Sequence, residues 1–200
     1  MLSSILLAAM SVLAVLYTSW IVLFFLPARA PMRREKPGNS AAYGPVSVVI
    51  PAYNEAANIE STLKSVLDAG YPAKKEIIVV DDGSKDATAS VVRKLMKRHR
   101  NVRLVNGNHG GKGRAVNLGM HHARYDFVAV LDADTSIDKN ALERIFRPFE
   151  NRKVGAVSTV LRVKRSSSIL NWFQQFEYAI SSSWRYVVDK IDGTCIVPGF

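Results

Sequence analysis

The chain has 200 residues, 48% of them hydrophobic, and a formal net charge of +10 at pH 7. This length suits one globular domain with little left over for a second, and the apolar share excludes wholesale disorder. The single cysteine, Cys195, excludes an intrachain disulfide. The four histidines are not spaced as the ligands of a zinc site would be, which excludes a histidine-based structural zinc centre.

The first segment of the chain predicts a membrane anchor. No charged residue precedes Arg29, and the run from Ile5 to Leu26 is almost wholly apolar. As a helix this run would span roughly 33 Å, enough for the hydrocarbon core of a bilayer. Because the flank that follows at 29–36 is basic, the positive-inside rule places the N-terminus outside the cell membrane and the rest of the chain in the cytosol.

A cleaved signal peptide is the alternative, since Ala28, Arg29 and Ala30 have the small-x-small form of a cleavage site. Against it, the charged region that begins a signal peptide is missing, and the apolar run is longer than usual. We therefore expect a single-pass transmembrane anchor at residues 1–30. A linker rich in proline, glycine and alanine would follow at 31–45, and a globular domain at 46–200.

Beyond the linker, strand and helix patterns alternate along the chain. Apolar runs predict buried strands at 46–50, 76–80, 102–105 and 127–131. Apolar residues at helical spacing predict helices at 59–67, 91–96 and 115–118. Gly70 would end the first helix and Asp86 would cap the second. This alternation is typical of an α/β fold with a mostly parallel sheet and flanking helices.

Polar clusters follow three of the predicted strands at the point where each strand ends. They are Pro51-Ala52-Tyr53-Asn54-Glu55, Asp81-Asp82-Gly83-Ser84 and Asp132-Ala133-Asp134. In such a sheet, ligands bind outside the carboxyl ends of the strands. Each cluster alone has a simpler explanation, because Asp-Gly is a common turn and an acidic residue after a strand often caps a helix. Three clusters on one edge favour a binding site.

The residue types at this edge suit a phosphorylated nucleotide. Asp132 and Asp134 can hold a divalent cation beside a diphosphate, although a solvated turn is the alternative for this pair. Asp82 can accept hydrogen bonds from a base or ribose. Tyr53 can pack on the base, or it can be a half-buried tyrosine that covers the sheet edge. The segment 110–114, Gly-Gly-Lys-Gly-Arg, offers backbone N–H groups and two cations to a phosphate without matching the Walker pattern.

Four blocks together resemble family 2 glycosyltransferases of the GT-A fold, a Rossmann-like α/β architecture. The blocks are VSVVIPAYNE, EIIVVDDGSKD, NHGGKGRAVNLG and VAVLDAD, in the family's order and at its separations. The resemblance covers roughly residues 44–200. The leading transmembrane helix and the stretch from Gly155 to Arg165 are similar to the membrane-embedded branch that includes cellulose, hyaluronan and poly-N-acetylglucosamine synthases.

The resemblance implies a role for each matched residue. The nucleotide-sugar pocket would be formed by Pro51, Ala52, Tyr53, Glu55, Asp81, Asp82, Lys112 and Asp132. Within it, Asp82, with Asp81 as its neighbour, would contact the base, and Lys112 would face the diphosphate. Asp132 and Asp134 would form the DxD motif that holds Mg²⁺ or Mn²⁺, with Asp134 as the more direct ligand.

The implied activity is inverting transfer of a sugar from a UDP- or GDP-sugar to a growing polysaccharide at the cytosolic membrane face. One alternative is a single transfer to a lipid phosphate or a lipid-linked glycan. Another is a non-catalytic module whose positive charge contacts a membrane surface or nucleic acid. Because no nucleic-acid recognition motif occurs, we expect a glycan or lipid-linked acceptor and a lipid bilayer as partners, and no nucleic acid.

Two motifs of the membrane-embedded branch do not occur in this sequence: the TED-like segment that supplies the general base, and QxxRW. Ser183-Trp184-Arg185-Tyr186 has similar residue types in another order and is predicted to lie in a helix. The same helix would carry Glu177 and an apolar stripe that packs or lies on the membrane. We therefore expect the general base beyond Phe200, and we expect that these 200 residues alone do not turn over donor.

Overall fold

The computed structural model describes residues 2–29, 44–151, 153–159 and 168–191. The described residues divide into two units. One contains the first and last helices, and the other contains a sheet with its flanking helices. The predicted linker at 31–45 lies almost wholly outside the described residues, and so does most of the stretch from Gly155 to Arg165.

The first unit consists of two contacting helices, α1 (Leu2–Arg29) and α6 (Ile169–Ile191). Both were predicted as helices, and both predictions are confirmed. Side chains are described for residues 7–22 of α1, and large apolar ones such as Leu13 are exposed. Within the described residues, no helix has both the length and the apolar character needed to cross a membrane. The spanning role predicted for α1 is therefore not shown.

The second unit is built on a four-stranded parallel sheet with the strand order β3-β2-β1-β4. The strands are β1 (Val46–Ala52), β2 (Lys75–Asp81), β3 (Val102–Asn106) and β4 (Phe127–Val130). The predicted parallel α/β sheet is confirmed. β1 and β2 extend beyond their predicted ends because their ladder continues to the pair Ala52–Asp81, after which the Asp82 N–H donates to the Ala52 carbonyl at 2.9 Å.

Helices cover both faces of this sheet. They are α2 (Ile59–Asp68), α3 (Thr88–Met96), α4 (Lys112–His121) and α5 (Ala141–Phe146), with a 3₁₀ turn at Arg147–Glu150. Successive strand residues point to opposite faces, so Val48 and Ile50 pack with α2, α3 and α5, whereas Val49 packs with α4. α5 is too short to show a helical period in the sequence.

Gly119 allows α4 to lie close to the sheet. A Cβ atom at this position would come within 2.3 Å of Val49 Cγ1 and 3.0 Å of Val80 Cγ2. Both valines are fully buried, so they have little room to move aside. The absence of a side chain at Gly119 therefore sets the distance between α4 and the two central strands.

The order of the strands creates a switch point at the carboxyl edge of the sheet. From β1 the chain proceeds through α2 to β2 and through α3 to β3, always on one side of β1. It then crosses by way of α4 to β4, on the other side of β1. Loops diverge at such a point and leave a crevice outside the strand ends. In this fold the switch point lies between the ends of β1 and β4, and a crevice is expected there.

The amino edge of the sheet holds a buried carboxylate, Glu76, which is 4% exposed. Its Oε1 accepts hydrogen bonds from Ser47 Oγ and from the Arg124 backbone N–H, both at 2.7 Å, and its Oε2 accepts one from Arg103 Nη1 at 3.1 Å. Burial by itself raises the pKa of Glu76. The hydrogen bonds from these three groups outweigh it and hold the pKa below its ordinary value.

Lys75, the neighbour of Glu76, caps a helix. Its ammonium group donates to the Val66 carbonyl at 2.6 Å, to the Leu67 carbonyl at 2.9 Å and to the Ala69 carbonyl. These oxygens lie in the last turn of α2 and at the residue that follows it, where carbonyls lack partners within the helix and the helix dipole is negative. Burial lowers the pKa of Lys75, and the charge of Asp68 opposes that shift.

Candidate functional site

Asp82 joins two loops at the carboxyl edge of the sheet. It lies directly after β2 and is 5% exposed. Its Oδ1 accepts the Gly110 N–H at 2.9 Å, and its Oδ2 accepts the Gly111 N–H at 2.8 Å. The buried carboxylate thereby fixes the loop between β3 and α4. These two N–H groups were predicted to help cradle a phosphate, but here they are bound within the protein.

The loops after β1 and β2 are also bound to each other. The Asn54 N–H donates to Ser84 Oγ at 2.9 Å, and Asn54 Oδ1 accepts the Lys85 N–H at 2.8 Å. Asn54 has a φ of 55°, in the left-handed region that asparagine tolerates better than most residues. The Glu55 N–H donates to Thr88 Oγ1 at 2.8 Å, at the start of α3. This bonding makes the two loops one rigid frame.

Several of the predicted pocket residues belong to that frame. Pro51 and Ala52 are buried at the end of β1, and Glu55 is half-buried, with its Oε2 accepting a hydrogen bond from Asn58 Nδ2 at 2.8 Å. Asp81 is 6% exposed, and its Oδ1 accepts the Ser84 N–H at 2.9 Å. These residues therefore hold the loops in place at the carboxyl edge of the sheet.

Tyr53 lies at the same edge and is 39% exposed. Its ring stacks on the imidazole of His109, with ring centroids 4.4 Å apart and planes at 29°. One face of Tyr53 is therefore covered from within the chain. His109 was not among the predicted site residues, because nothing in the sequence places the β3–α4 loop over the end of β1.

The DxD segment follows β4 on the other side of the crevice. Ala133 is buried, and its carbonyl accepts a hydrogen bond from Thr62 Oγ1 at 2.7 Å. The two flanking carboxylates, Asp132 and Asp134, are exposed. Lys112 Nζ lies 2.7 Å from Asp132 Oδ1, and the side chains of this pair are 46% and 49% exposed. Lys112 begins α4, so this ion pair joins the two elements that flank the crevice.

The residues of this edge fit a divalent cation that arrives together with a phosphorylated ligand. Across the ranges described, no group of three or more histidine, cysteine, aspartate or glutamate side chains is placed to hold a metal. Mg²⁺ is usually bound by one or two carboxylates, with phosphate oxygens and water completing its shell. Asp132 and Asp134 provide two such carboxylates, and both are open to solvent.

The parallel sheet, covered by helices on both faces, and its switch point define a doubly wound α/β protein, a fold that binds ligands at the carboxyl edge of its strands. The sequence pattern of glycosyl transferase family 2 matches residues 47–198, and this chain belongs to that family. The resemblance predicted from the four sequence blocks is thereby confirmed.

Two staphylococcal synthases are similar to this chain in sequence. The chain is 40% identical over 136 residues to a poly-beta-1,6-N-acetyl-D-glucosamine synthase of Staphylococcus epidermidis. It is 38% identical over 135 residues to the synthase of the same description from Staphylococcus aureus strain COL. These matches cover 67% of this chain and 32% of each relative. The chain therefore spans about a third of the length of these relatives.

Solved structures share the fold at 26% sequence identity. The mannosyltransferase PcManGT from Pyrobaculum calidifontis, in complex with GDP-Man and Mn²⁺, has a TM-score of 0.65, with 88% of this chain and 49% of that chain covered. S. aureus TarS residues 1–349, in complex with UDP, has a TM-score of 0.54, with 62% and 38% covered. A further TarS structure contains UDP-GlcNAc. These likenesses confirm the GT-A type of fold.

Proposed function

We propose that this chain forms the donor-binding part of an inverting glycosyltransferase that extends a polysaccharide from UDP-N-acetylglucosamine. Family membership and the likeness to poly-beta-1,6-N-acetyl-D-glucosamine synthases support the reaction class and the sugar. The observation that carries the proposal is the exposed contact of Lys112 with Asp132, beside Asp134 and at the switch point. It places the Lys112 ammonium and two exposed carboxylates where a parallel sheet binds ligands.

The Lys112–Asp132 pair is suited to exchange partners when a nucleoside diphosphate binds. Exposed ion pairs are worth little, roughly 0.2–1 kcal/mol, so separating this one costs little. The freed Lys112 ammonium would then hold the diphosphate, and Asp132 and Asp134 would face the divalent cation. When bound, Mg²⁺ or Mn²⁺ would act as a Lewis acid and neutralise charge on the departing diphosphate.

The remaining predicted residues would hold the nucleoside end of the donor. Asp82 and Asp81 fix the loops that surround it, and Tyr53 offers the part of its ring that His109 leaves uncovered. An acceptor hydroxyl would displace the nucleoside diphosphate from the anomeric carbon, with its proton passing to a base and the configuration inverted. Donor binding and donor orientation are the steps that we assign to these residues.

Calorimetry on the full chain in detergent tests the donor site, with UDP and GDP titrated in the presence of Mn²⁺ and again in EDTA. We expect UDP to bind with Mn²⁺ at least about tenfold more tightly than in EDTA, and GDP to bind more weakly than UDP. Mn²⁺ alone should bind weakly, because Asp132 and Asp134 would supply two of its ligands and the diphosphate would supply others. Equal UDP affinity in EDTA would contradict the metal assignment, and preference for GDP would contradict the proposed donor.

We further propose that the donor site faces the cytosol at the cell membrane. The apolar run from Ile5 to Leu26 and the basic flank after it support this placement. A pair of reporters fused after residue 45 tests it, one active only in the cytosol and one active only outside. Activity of the cytosolic reporter alone is expected. Activity of the outer reporter would reverse the proposed topology.

A further inference from the structure

A buried hydroxyl on α2 holds the turn that carries the DxD carboxylates. The buried residues of this helix are Ile59, Thr62, Leu63 and Val66. Thr62 is the polar one among them, and it is fully buried. Its Oγ1 donates to the main-chain carbonyl of Ala133 at 2.7 Å, across a separation of 71 residues in the sequence. A hydroxyl on an otherwise apolar buried face is costly unless it is bonded, and this bond satisfies it.

The partner of this bond is unusual for a threonine inside a helix. Such a side chain often binds the carbonyl four residues earlier, which for Thr62 belongs to Asn58. That carbonyl lies 3.3 Å away, and the Ala133 carbonyl lies closer, at 2.7 Å. A hydroxyl has one hydrogen to donate, so the shorter contact is the stronger hydrogen bond. Thr62 therefore binds α2 to the segment after β4 rather than to its own helix.

Ala133 lies between the two carboxylates of the proposed cation site. It is 5% exposed, whereas Asp132 and Asp134 on either side of it are exposed. The Thr135 N–H donates to the Asp132 carbonyl at 3.1 Å and closes a turn over these four residues. The bond from Thr62 holds this turn at its second residue, on the buried side. The orientation of the turn backbone decides where both carboxylates lie, and the Thr62 bond fixes that orientation.

Further bonds hold the chain on both sides of the turn. Before it, the Leu131 N–H donates to the Val49 carbonyl in β1 at 3.0 Å. After it, the Ile137 N–H donates to Ser65 Oγ at 3.1 Å. Ser65 lies three residues after Thr62 on α2, so both hydroxyls are on the same side of the helix. Of these three contacts, the one from Thr62 reaches the turn itself.

We propose that Thr62 is a positioning residue of the donor site, whose hydroxyl orients the turn at 132–135 so that Asp132 and Asp134 bind the same divalent cation. Residues that orient metal ligands from behind contribute to metal affinity although they do not touch the metal. Without the hydroxyl, the Ala133 carbonyl loses its buried donor, and a rotation of the turn toward water becomes favourable. This inference rests on the proposed function, because it assumes that a cation binds the two aspartates together with UDP.

The first experiment measures the Mn²⁺ requirement of UDP binding. The full chain in detergent is titrated with Mn²⁺ at a fixed concentration of labelled UDP, for the wild type, Thr62→Val and Thr62→Ser. Valine keeps the branched shape of threonine without its hydroxyl, so the Mn²⁺ concentration for half-maximal binding should rise by about tenfold or more. Serine keeps the hydroxyl and should stay within about threefold of the wild type. In EDTA the three proteins should bind UDP alike.

Ser47→Ala is the matched control, because it removes a buried hydroxyl at the other edge of the sheet. Ser47 is fully buried and donates to Glu76 Oε1 at the same distance, 2.7 Å. Its loss should lower the melting temperature, as the loss of the Thr62 hydroxyl does, and leave the Mn²⁺ requirement unchanged. An equal rise in the Mn²⁺ requirement of Ser47→Ala and Thr62→Val would reveal a general effect of lost stability and overturn the positioning role.

A second experiment needs no ligand. Hydrogen exchange is measured on the full chain in detergent without UDP or Mn²⁺, for the wild type and Thr62→Val. The Thr135 and Ile137 amides, in the turn and just after it, should exchange about five- to tenfold faster in the variant, while those of β1 and β2 keep their rates. Unchanged exchange at both amides would show that Thr62 does not hold the turn.

The outcomes separate this inference from the proposed function. If the wild type binds no UDP or GDP, the proposed function fails and this inference fails with it. If the wild type needs Mn²⁺ to bind UDP and Thr62→Val needs no more of it, the role of Thr62 is overturned and the donor site stands. Should Thr62→Val not fold, Thr62→Ala replaces it in the same comparison.

Discussion

The two edges of the sheet each hold a carboxylate paired with a cation, in opposite surroundings. At the amino edge, Glu76 Oε2 lies 3.1 Å from Arg103 Nη1, with side chains 6% and 29% exposed. At the carboxyl edge, Asp132 Oδ1 lies 2.7 Å from Lys112 Nζ, with side chains 49% and 46% exposed. The shorter contact is the more exposed one, so distance alone does not rank these pairs.

The two pairs differ in their contribution to stability because they differ in burial and in their other hydrogen bonds. Glu76 also binds Ser47 and the Arg124 backbone, and removing one partner of a buried set leaves charge or polar groups uncompensated. Asp132 and Lys112 are screened by water, so either can leave the other at little cost. The same kind of pair therefore belongs to a buried network at one edge and is a weak, exposed contact at the other.

The largest effect on stability is expected from Glu76→Ala. It leaves Arg103 half-buried without its carboxylate and should lower the free energy of unfolding by about 3–5 kcal/mol, measured by urea denaturation in detergent. Asp132→Ala is the matched change at the other edge, and it should shift stability by less than about 1 kcal/mol. Equal losses in the two variants would show that the edges do not differ as we describe.

Substitutions at the carboxyl edge should change ligand binding rather than the free energy of unfolding. Asp134→Asn removes one of the two exposed charges facing the proposed cation and should weaken UDP binding with Mn²⁺ by about tenfold or more, about 1.4 kcal/mol. In EDTA the variant and the wild type should bind UDP alike. Asp126→Asn, an exposed aspartate at the start of β4, is the control and should leave binding unchanged. A similar loss from that control would indicate a general charge effect.

Lys75→Met tests a cation of the amino edge whose ammonium group binds main-chain carbonyls. It removes the ammonium that binds the last carbonyls of α2 and should lower the free energy of unfolding by about 1–2 kcal/mol. Lys74→Met, at the exposed neighbouring position, should have little effect. Equal urea midpoints for the two variants would contradict the capping role that we assign to Lys75.

The pH dependence of stability sharpens the comparison further. Because the folded-state pKa of Glu76 is lowered, its contribution is present above the unfolded pKa of about 4.3 and is lost as pH falls through the folded value. Glu76→Gln should therefore lose less stability than the wild type between about pH 5 and pH 3. Glu60→Gln is the comparison: Lys64 lowers the pKa of Glu60 as well, but this pair is exposed and screened by water, so the acid curve should change less than in Glu76→Gln. Parallel acid curves for the wild type and Glu76→Gln would contradict this assignment.

Much of the fold could be predicted because its strands are buried on both faces. Such strands are continuous apolar runs, and the runs at 46–50 and 76–80 predict β1 and β2 directly. Their exact ends were missed, because Pro51 and Asp81 look like loop residues until the ladder is seen to continue through them. The short α5 carries no periodic signal of its own, and it is ordered by packing Leu142 and Phe146 into the core.

The sequence predicted which residue types gather at the candidate site, and the structure showed how they are arranged. The sequence by itself determined that carboxylates, a tyrosine and a lysine follow strand ends, because parallel strands place their carboxyl ends together. Only the tertiary structure decided that Asp82 is buried while Asp132 remains open. It also placed His109 against Tyr53. These features depend on which loops cross the sheet edge, and contacts between residues far apart in the chain leave no local pattern in the sequence.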